Sequence, residues 1–171
     1  MRTLKEIVWE YHKKTETHRL VKNIIDNTIS DKLYCDFVYT QYLIFGTIED
    51  RIHFHTGTAR RQCALDDWQD MQYSLPRDLK TIERYTQVLR TCDLHDLMAH
   101  VYVNYIGLLS GSRTVKAAIE HRFPTRLYNF VGASDSIAEI LEKTDTGMAA
   151  DAVIQSYQMI ENLYTDLYES V

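Results

Sequence analysis

Apolar positions recur every three to four residues along nearly the whole chain. Leu4, Ile7, Val8 and Tyr11 form one stripe, and Leu20, Val21, Ile24 and Ile25 a shorter second one. This spacing places side chains on one face of an α-helix. Ser30 stands where an N-cap belongs, ahead of a long helix carrying Leu33, Phe37, Tyr42, Phe45, Ile48 and Ile52. The middle of that run, CDFVYTQYLIF, has local strand character. The length of the periodic pattern and the absence of turn residues inside it favour helix.

A looser segment surrounds Gly57, and a further helix is expected over Ala59 to Met71. Ser74-Leu75-Pro76 reads as the start of the next, with Ile82, Tyr85, Val88 and Leu89 facing inward. Asp93 caps the helix that contains the stretch HVYVNYIGLLSGSRT, which Pro124 ends with a compact turn, FPTRLYNFVGAS. A short helix around Ile137 to Leu141 and a final one from about Gly147 to Tyr168 complete an all-α chain. No repeat, low-complexity tract or linker interrupts it, so one domain over residues 1–171 is expected.

Composition supports the helical reading: 2 prolines and 6 glycines are few for an all-β sandwich. No apolar run approaches the ~20 residues that span a bilayer, and the charged start MRTLKEIVWEYHKK does not read as a signal peptide. Three widely spaced cysteines, Cys35, Cys63 and Cys92, predict neither a disulfide framework nor a zinc knuckle and favour a reducing cytoplasm. A net charge of -5 argues against a general nucleic-acid role. Basic residues nevertheless crowd the N-terminus, with Lys5, Lys13, Lys14, Arg19 and Lys22 in the first 22 positions.

Two features carry candidate chemistry. His12 lies at the edge of the first stripe, with Lys5 two turns earlier on the same face and Glu16 one turn later. An imidazole there fits an iron in an apolar slot, with the carboxylate orienting it through its second nitrogen. Taken alone, such a histidine is more often structural or on the surface. Gly107 and Gly111 stand four residues apart in a helix, each costing about 1 kcal/mol against alanine. Either two helices touch through these small residues, or a flat group passes close to the backbone.

With those residues in view, the sequence resembles the heme oxygenase family. LKEIVWEYHKKTE resembles the N-terminal helix, with His12 at the place of the proximal heme ligand, Lys5 at that of a propionate-binding base, and Glu16 at that of the acid near the ligand. The spacing continues into SDKLYCDFVYTQYLIFGTIEDRI. LMAHVYVNYIGLLSGSRTVKAAI resembles the distal-helix signature, and LYNFVGAS and QSYQMIENLYTDL the last segments of bacterial members.

The resemblance implies heme held between two helices, with His12 as the metal ligand. It implies oxidative opening of that heme by O2 to biliverdin, iron and carbon monoxide. Electrons would come from a ferredoxin, a flavodoxin or a flavoprotein reductase. His12, Lys5, Glu16, Tyr102, Gly107, Gly111 and Arg113 would bind the cofactor, and Gly107, Gly111, Ser112 and Asn104 would form the catalytic wall. The chain departs from the pattern at Leu108, where the family has aspartate, at Ser112, where a second glycine is usual, and at Asn104, where arginine is common. Arg113, Lys116, Arg122 and Arg126 are the bases available for a second propionate. A heme-binding carrier or sensor is the alternative, favoured by Leu108. A non-heme metal oxidase would have to draw on Glu49, His53, His55, His95 and His100.

Overall fold

The computed structural model describes residues 2–72, 77–144 and 148–169. The expected helix start at Ser74-Leu75-Pro76 and the expected beginning of the last helix at Gly147 lie outside these residues. Among the described residues the regular structure is entirely helical, as the periodicity predicts.

Helix α1 spans Leu4–Glu16 and opens on a capping box: the Thr3 hydroxyl accepts from Glu6 N, and the Glu6 carboxylate accepts from Thr3 N. Helix α2 covers Arg19–Ile25. His18 is half-buried and caps α2, its Nδ1 accepting from Leu20 N at 3.1 Å. Helix α3, Asp31–Glu49, starts at the predicted cap, where Ser30 Oγ accepts from Leu33 N, and ends before Ile52. The segment with local strand character is helical because its hydrophobic residues face neighbours on several sides of a buried helix.

Helices α4 (Arg61–Met71) and α5 (Lys80–Thr91) pack against α3. Asp93 caps α6, Leu94–Val101, through its carboxylate on Asp96 N. Residues Tyr102–Ile106 then form a single π-helical turn before α7, Gly107–Ile119. A 3₁₀ turn at Arg126–Tyr128 leads to α8 (Ala133–Thr144), longer than expected, and α9 (Ala150–Glu169) closes the chain. No described helix is long and apolar enough to cross a membrane.

Leu20, Tyr34, Phe45, Ile48, Tyr85, Leu89, Leu97 and Tyr105 are sealed in the core. Each large aliphatic side chain buried this way contributes roughly 1.5–3 kcal/mol. Helix α1 is the exception, with Ile7 its one buried residue. It is held to α9 by Tyr11 stacked on Tyr157 and by an ion pair between Lys14 and Glu161. A wall attached along one edge leaves room beside it.

The turn that carries Tyr128 is built by two buried charges. The Arg60 guanidinium donates to the carbonyls of Gly57, Ala59, Leu127 and Asn129 within 2.8–3.2 Å, and lies over Phe130. Asp67 accepts from Leu127 N at 2.8 Å and Arg126 N at 3.2 Å. Polar groups buried there are thus satisfied by one another.

Candidate functional site: a cleft between two helices

The room beside α1 is a cleft of about 240 Å³. Helix α1 contributes His12, Thr15 and Glu16 to it. The π-turn and α7 contribute Val103, Asn104, Gly107, Leu108, Gly111 and Val115. The remaining sides come from α2, from Phe37 and Gln41 of α3, from Tyr128, and from Tyr157, Ile160 and Tyr164 of α9. More than half of the lining is apolar or aromatic, with a minority of polar side chains that include Ser110 and Thr114, the usual character of a small-molecule site. Burial pushes Tyr157 up to about 12, and Tyr128 and Tyr164 higher still. All three therefore stay neutral hydroxyls near neutral pH.

On α1, His12 Nε2 lies 3.0 Å from Glu16 Oε1. A carboxylate only accepts, so the ring nitrogen facing Glu16 carries the proton. In the neutral imidazole the other nitrogen then keeps its lone pair for a metal.

On the opposite wall, a Cβ built on Gly107 or on Gly111 meets no atom within 4 Å. The small-residue helix contact that the spacing also allowed is therefore not what these glycines serve. They border open space in the cleft, so alanine or a larger residue would project a side chain into it.

The π-turn forms part of the same wall. Such a turn displaces the hydrogen-bond ladder by one residue and recurs at functional sites. Asn104 lies within it, buried yet lining the cleft. Its Nδ2 donates to the carbonyl of His100 and to Tyr85 Oη, both at 2.8 Å. Tyr85 Oη also lies 3.1 Å from His100 Nδ1 and 3.2 Å from Ser156 Oγ. His100 is fully buried and held down to about 4 by burial, hence neutral.

Of the site residues expected from the sequence, His12, Glu16, Asn104, Gly107 and Gly111 meet around the cleft. Lys5 and Arg113 are exposed and Tyr102 half-buried, and none of the three lines it. Ser112 lies outside the lining too, with its hydroxyl donating to the Leu109 carbonyl at 2.8 Å. Two of the bases available for a second propionate are committed elsewhere: Arg122 pairs with Asp31, and Arg126 with Asp67 and Asp70.

Glu49, His53, His55, His95 and His100 do not converge. Glu49 accepts from Arg60 N, Arg61 N and Tyr105 Oη, and His100 faces Tyr85. Among the described residues one group has metal-ligand spacing, the surface trio Asp93, His95 and Asp96. Sequence reasoning missed Thr15, Gln41, Tyr128, Tyr157 and Tyr164 in the lining. They come from four separate parts of the chain, and no local signal links them.

A family model described as heme oxygenase matches residues 1–144 of the 171. The chain belongs to the heme oxygenase family. Its fold is similar to that of heme oxygenase-1 from the cyanobacterium Synechocystis, solved in complex with heme. That likeness has a TM-score of 0.81 and 18% identity over 98% of this chain and 91% of that one. It is also similar to the heme oxygenase of Leptospira interrogans, with a TM-score of 0.77 and 15% identity over 95% and 96% of the two chains. No relative among curated proteins matches the sequence. The two walls of the cleft, α1 and α7, both fall within the part of the chain that matches the heme oxygenase family.

Proposed function

We propose that this heme oxygenase family member binds heme in the cleft between α1 and α7 and opens it oxidatively to biliverdin. O2 would be the oxidant, and a ferredoxin-type or flavoprotein donor would supply the electrons. The observation that carries the reading is the empty space over Gly107 and Gly111 on the wall across from His12. An imidazole on one side and two positions without side chains on the other suit a flat, apolar group carrying a metal.

When bound, heme supplies the metal that activates O2 and the macrocycle that is opened. The chain's own residues do the rest. His12 holds the metal through the nitrogen turned away from Glu16, and Glu16 fixes the ring's orientation and raises its basicity. Gly107 and Gly111 let the α7 backbone approach the ring. Val103, Val115, Ile160 and the three tyrosines exclude bulk water. Neither lysine nor arginine lines the cleft, so the propionates would lie at its mouth. There Lys5 and Arg113 are the candidate partners, and Tyr102 and Ser112 would support the wall from behind. Lys13, Lys14, Arg19 and Lys22 offer a basic surface on which an acidic donor would dock, consistent with a cytoplasmic enzyme.

A second reading, heme carriage or sensing, is favoured by one observation. Leu108 lines the cleft where the family places an aspartate, and it can neither accept nor relay a proton. One experiment separates the two: hemin is added to the purified protein, followed by a ferredoxin-reductase system under air. A Soret band that forms and decays into biliverdin absorption supports the oxygenase. A band that forms and persists supports the carrier, and absence of a band removes both.

A further inference from the structure

The departure at Leu108 raises the question of which group, if any, holds water over the cleft. The hydrogen bonds of Asn104 identify one. A carbonyl oxygen only accepts, so the side-chain atom 2.8 Å from the His100 carbonyl must be the amide nitrogen. That nitrogen has two hydrogens, and the second goes to Tyr85 Oη. Both donors of Asn104 are thereby spent on groups behind the π-turn.

Its acceptor is in the opposite situation. Oδ1 receives no hydrogen bond from the protein, yet it is not sealed. The sealed side-chain polar atoms without a partner, among the described residues, are Trp68 Nε1 and His100 Nε2. Asn104 is only 8% exposed and it lines the cleft, so the open space that Oδ1 touches is the cleft itself.

We propose that Tyr85 is a positioning residue of this site: by accepting the second Nδ2 hydrogen beside the one given to the His100 carbonyl, it locks Oδ1 toward the cleft and fixes there a hydrogen-bond acceptor for water. The acceptor does for this chain what a carboxylate at position 108 would do, without its charge. The role rests on the heme oxygenase reading, but the geometry behind it does not.

Tyr85 suits the task because it is pinned from three sides. Its hydroxyl accepts from Asn104 and so must give its own hydrogen to His100 Nδ1 or Ser156 Oγ. With the phenol fully buried and packed from α5 against α6 and α9, the carboxamide has one orientation. A free asparagine in a wet cleft would turn between donor and acceptor faces. The His100 carbonyl, which only accepts, sets the face and Tyr85 clamps it by taking the second hydrogen, which is the preorganisation that a water-holding group needs.

Two arms test this. In the first, the side-chain amide protons of Asn104 are followed by NMR in the protein without hemin. Wild type is expected to show a protected pair, and Tyr85→Phe at least tenfold faster exchange with a shifted resonance. Ser156→Ala removes a different partner of Tyr85 and is expected to leave that pair unchanged, which a general loosening of the core would not. Unchanged Asn104 protons in Tyr85→Phe would overturn the proposal, as would equal effects of both substitutions. In the second arm, the hemin complexes are compared. Tyr85→Phe and Asn104→Leu are expected to keep hemin affinity within about twofold of wild type while slowing ring opening five- to tenfold. Turnover by Asn104→Leu equal to wild type overturns the water-holding role. Failure of wild type to bind hemin would defeat the heme reading and leave the first arm to decide the geometry.

Discussion

His12 and Glu16 form a hydrogen-bonded pair one helical turn apart, 3.0 Å between Nε2 and Oε1, at the rim of a cleft that both residues line. The imidazole is a quarter exposed, reachable by a ligand and still oriented by its neighbour. His12→Ala is expected to lower hemin affinity at least about 100-fold, with added imidazole restoring the Soret band. Glu16→Gln is expected to weaken hemin by roughly tenfold, the usual size of a lost outer partner. Hemin titrations followed at the Soret maximum decide both.

Gly111→Ala separates stability from function. Alanine in a helix interior is favoured over glycine by about 1 kcal/mol, and the new methyl meets no atom within 4 Å in the folded protein. The variant is expected to melt roughly 2–4 °C higher without hemin. It is also expected to bind hemin more weakly, because the methyl projects into the cleft. Thermal melts and hemin titration on one preparation show whether the two properties move in opposite directions.

Acid should destabilise the fold through His100. Burial holds it at about 4, below its ordinary 6.5. Between these values the unfolded chain binds a proton that the folded chain does not, so stability falls as pH drops from 6.5 toward 4 and levels off below. The group facing the ring is the Tyr85 hydroxyl, neutral throughout that range because burial lifts it to about 12. The loss from this residue is at most about 3 kcal/mol. Urea unfolding at pH 7 and pH 4.5 is expected to show a smaller drop in His100→Gln than in wild type.

Arg60 is fully buried and satisfies the Leu127 and Asn129 carbonyls at the turn that positions Tyr128 as well as the Gly57 carbonyl beside it. Arg60→Met keeps most of the side-chain volume but strands those acceptors. A loss of at least about 3 kcal/mol in denaturant unfolding is expected, since each buried acceptor left unpaired costs about 1–3 kcal/mol. A loss below 1 kcal/mol would show that water replaces the guanidinium.

Much of the fold was legible because its signals are local. Ser30 or Asp93 before an apolar stripe caps a helix wherever the chain lies, and a 3.6-residue period needs no knowledge of the partner face. The π-turn at Tyr102–Ile106 was not legible. It carries no proline, and Asn104 within it is bonded to Tyr85, which comes from another helix. The setting of His18 has no local signal either: its Nε2 lies 3.1 Å from Thr165 Oγ1, 147 positions away.

By itself the sequence determined most of the helices, the caps at Ser30 and Asp93, the His12–Glu16 spacing and the placing of two glycines on one stretch. All of these follow from backbone geometry over a few residues. Only the tertiary structure decided what the glycines face. The same four-residue spacing serves a helix contact or an open wall, and the outcome depends on whether another helix arrives there. Here α1 stands off, and open space lies between the walls. Tertiary structure likewise decided which way Asn104 turns, because a carboxamide takes its orientation from its partners, and Tyr85 is 19 residues away.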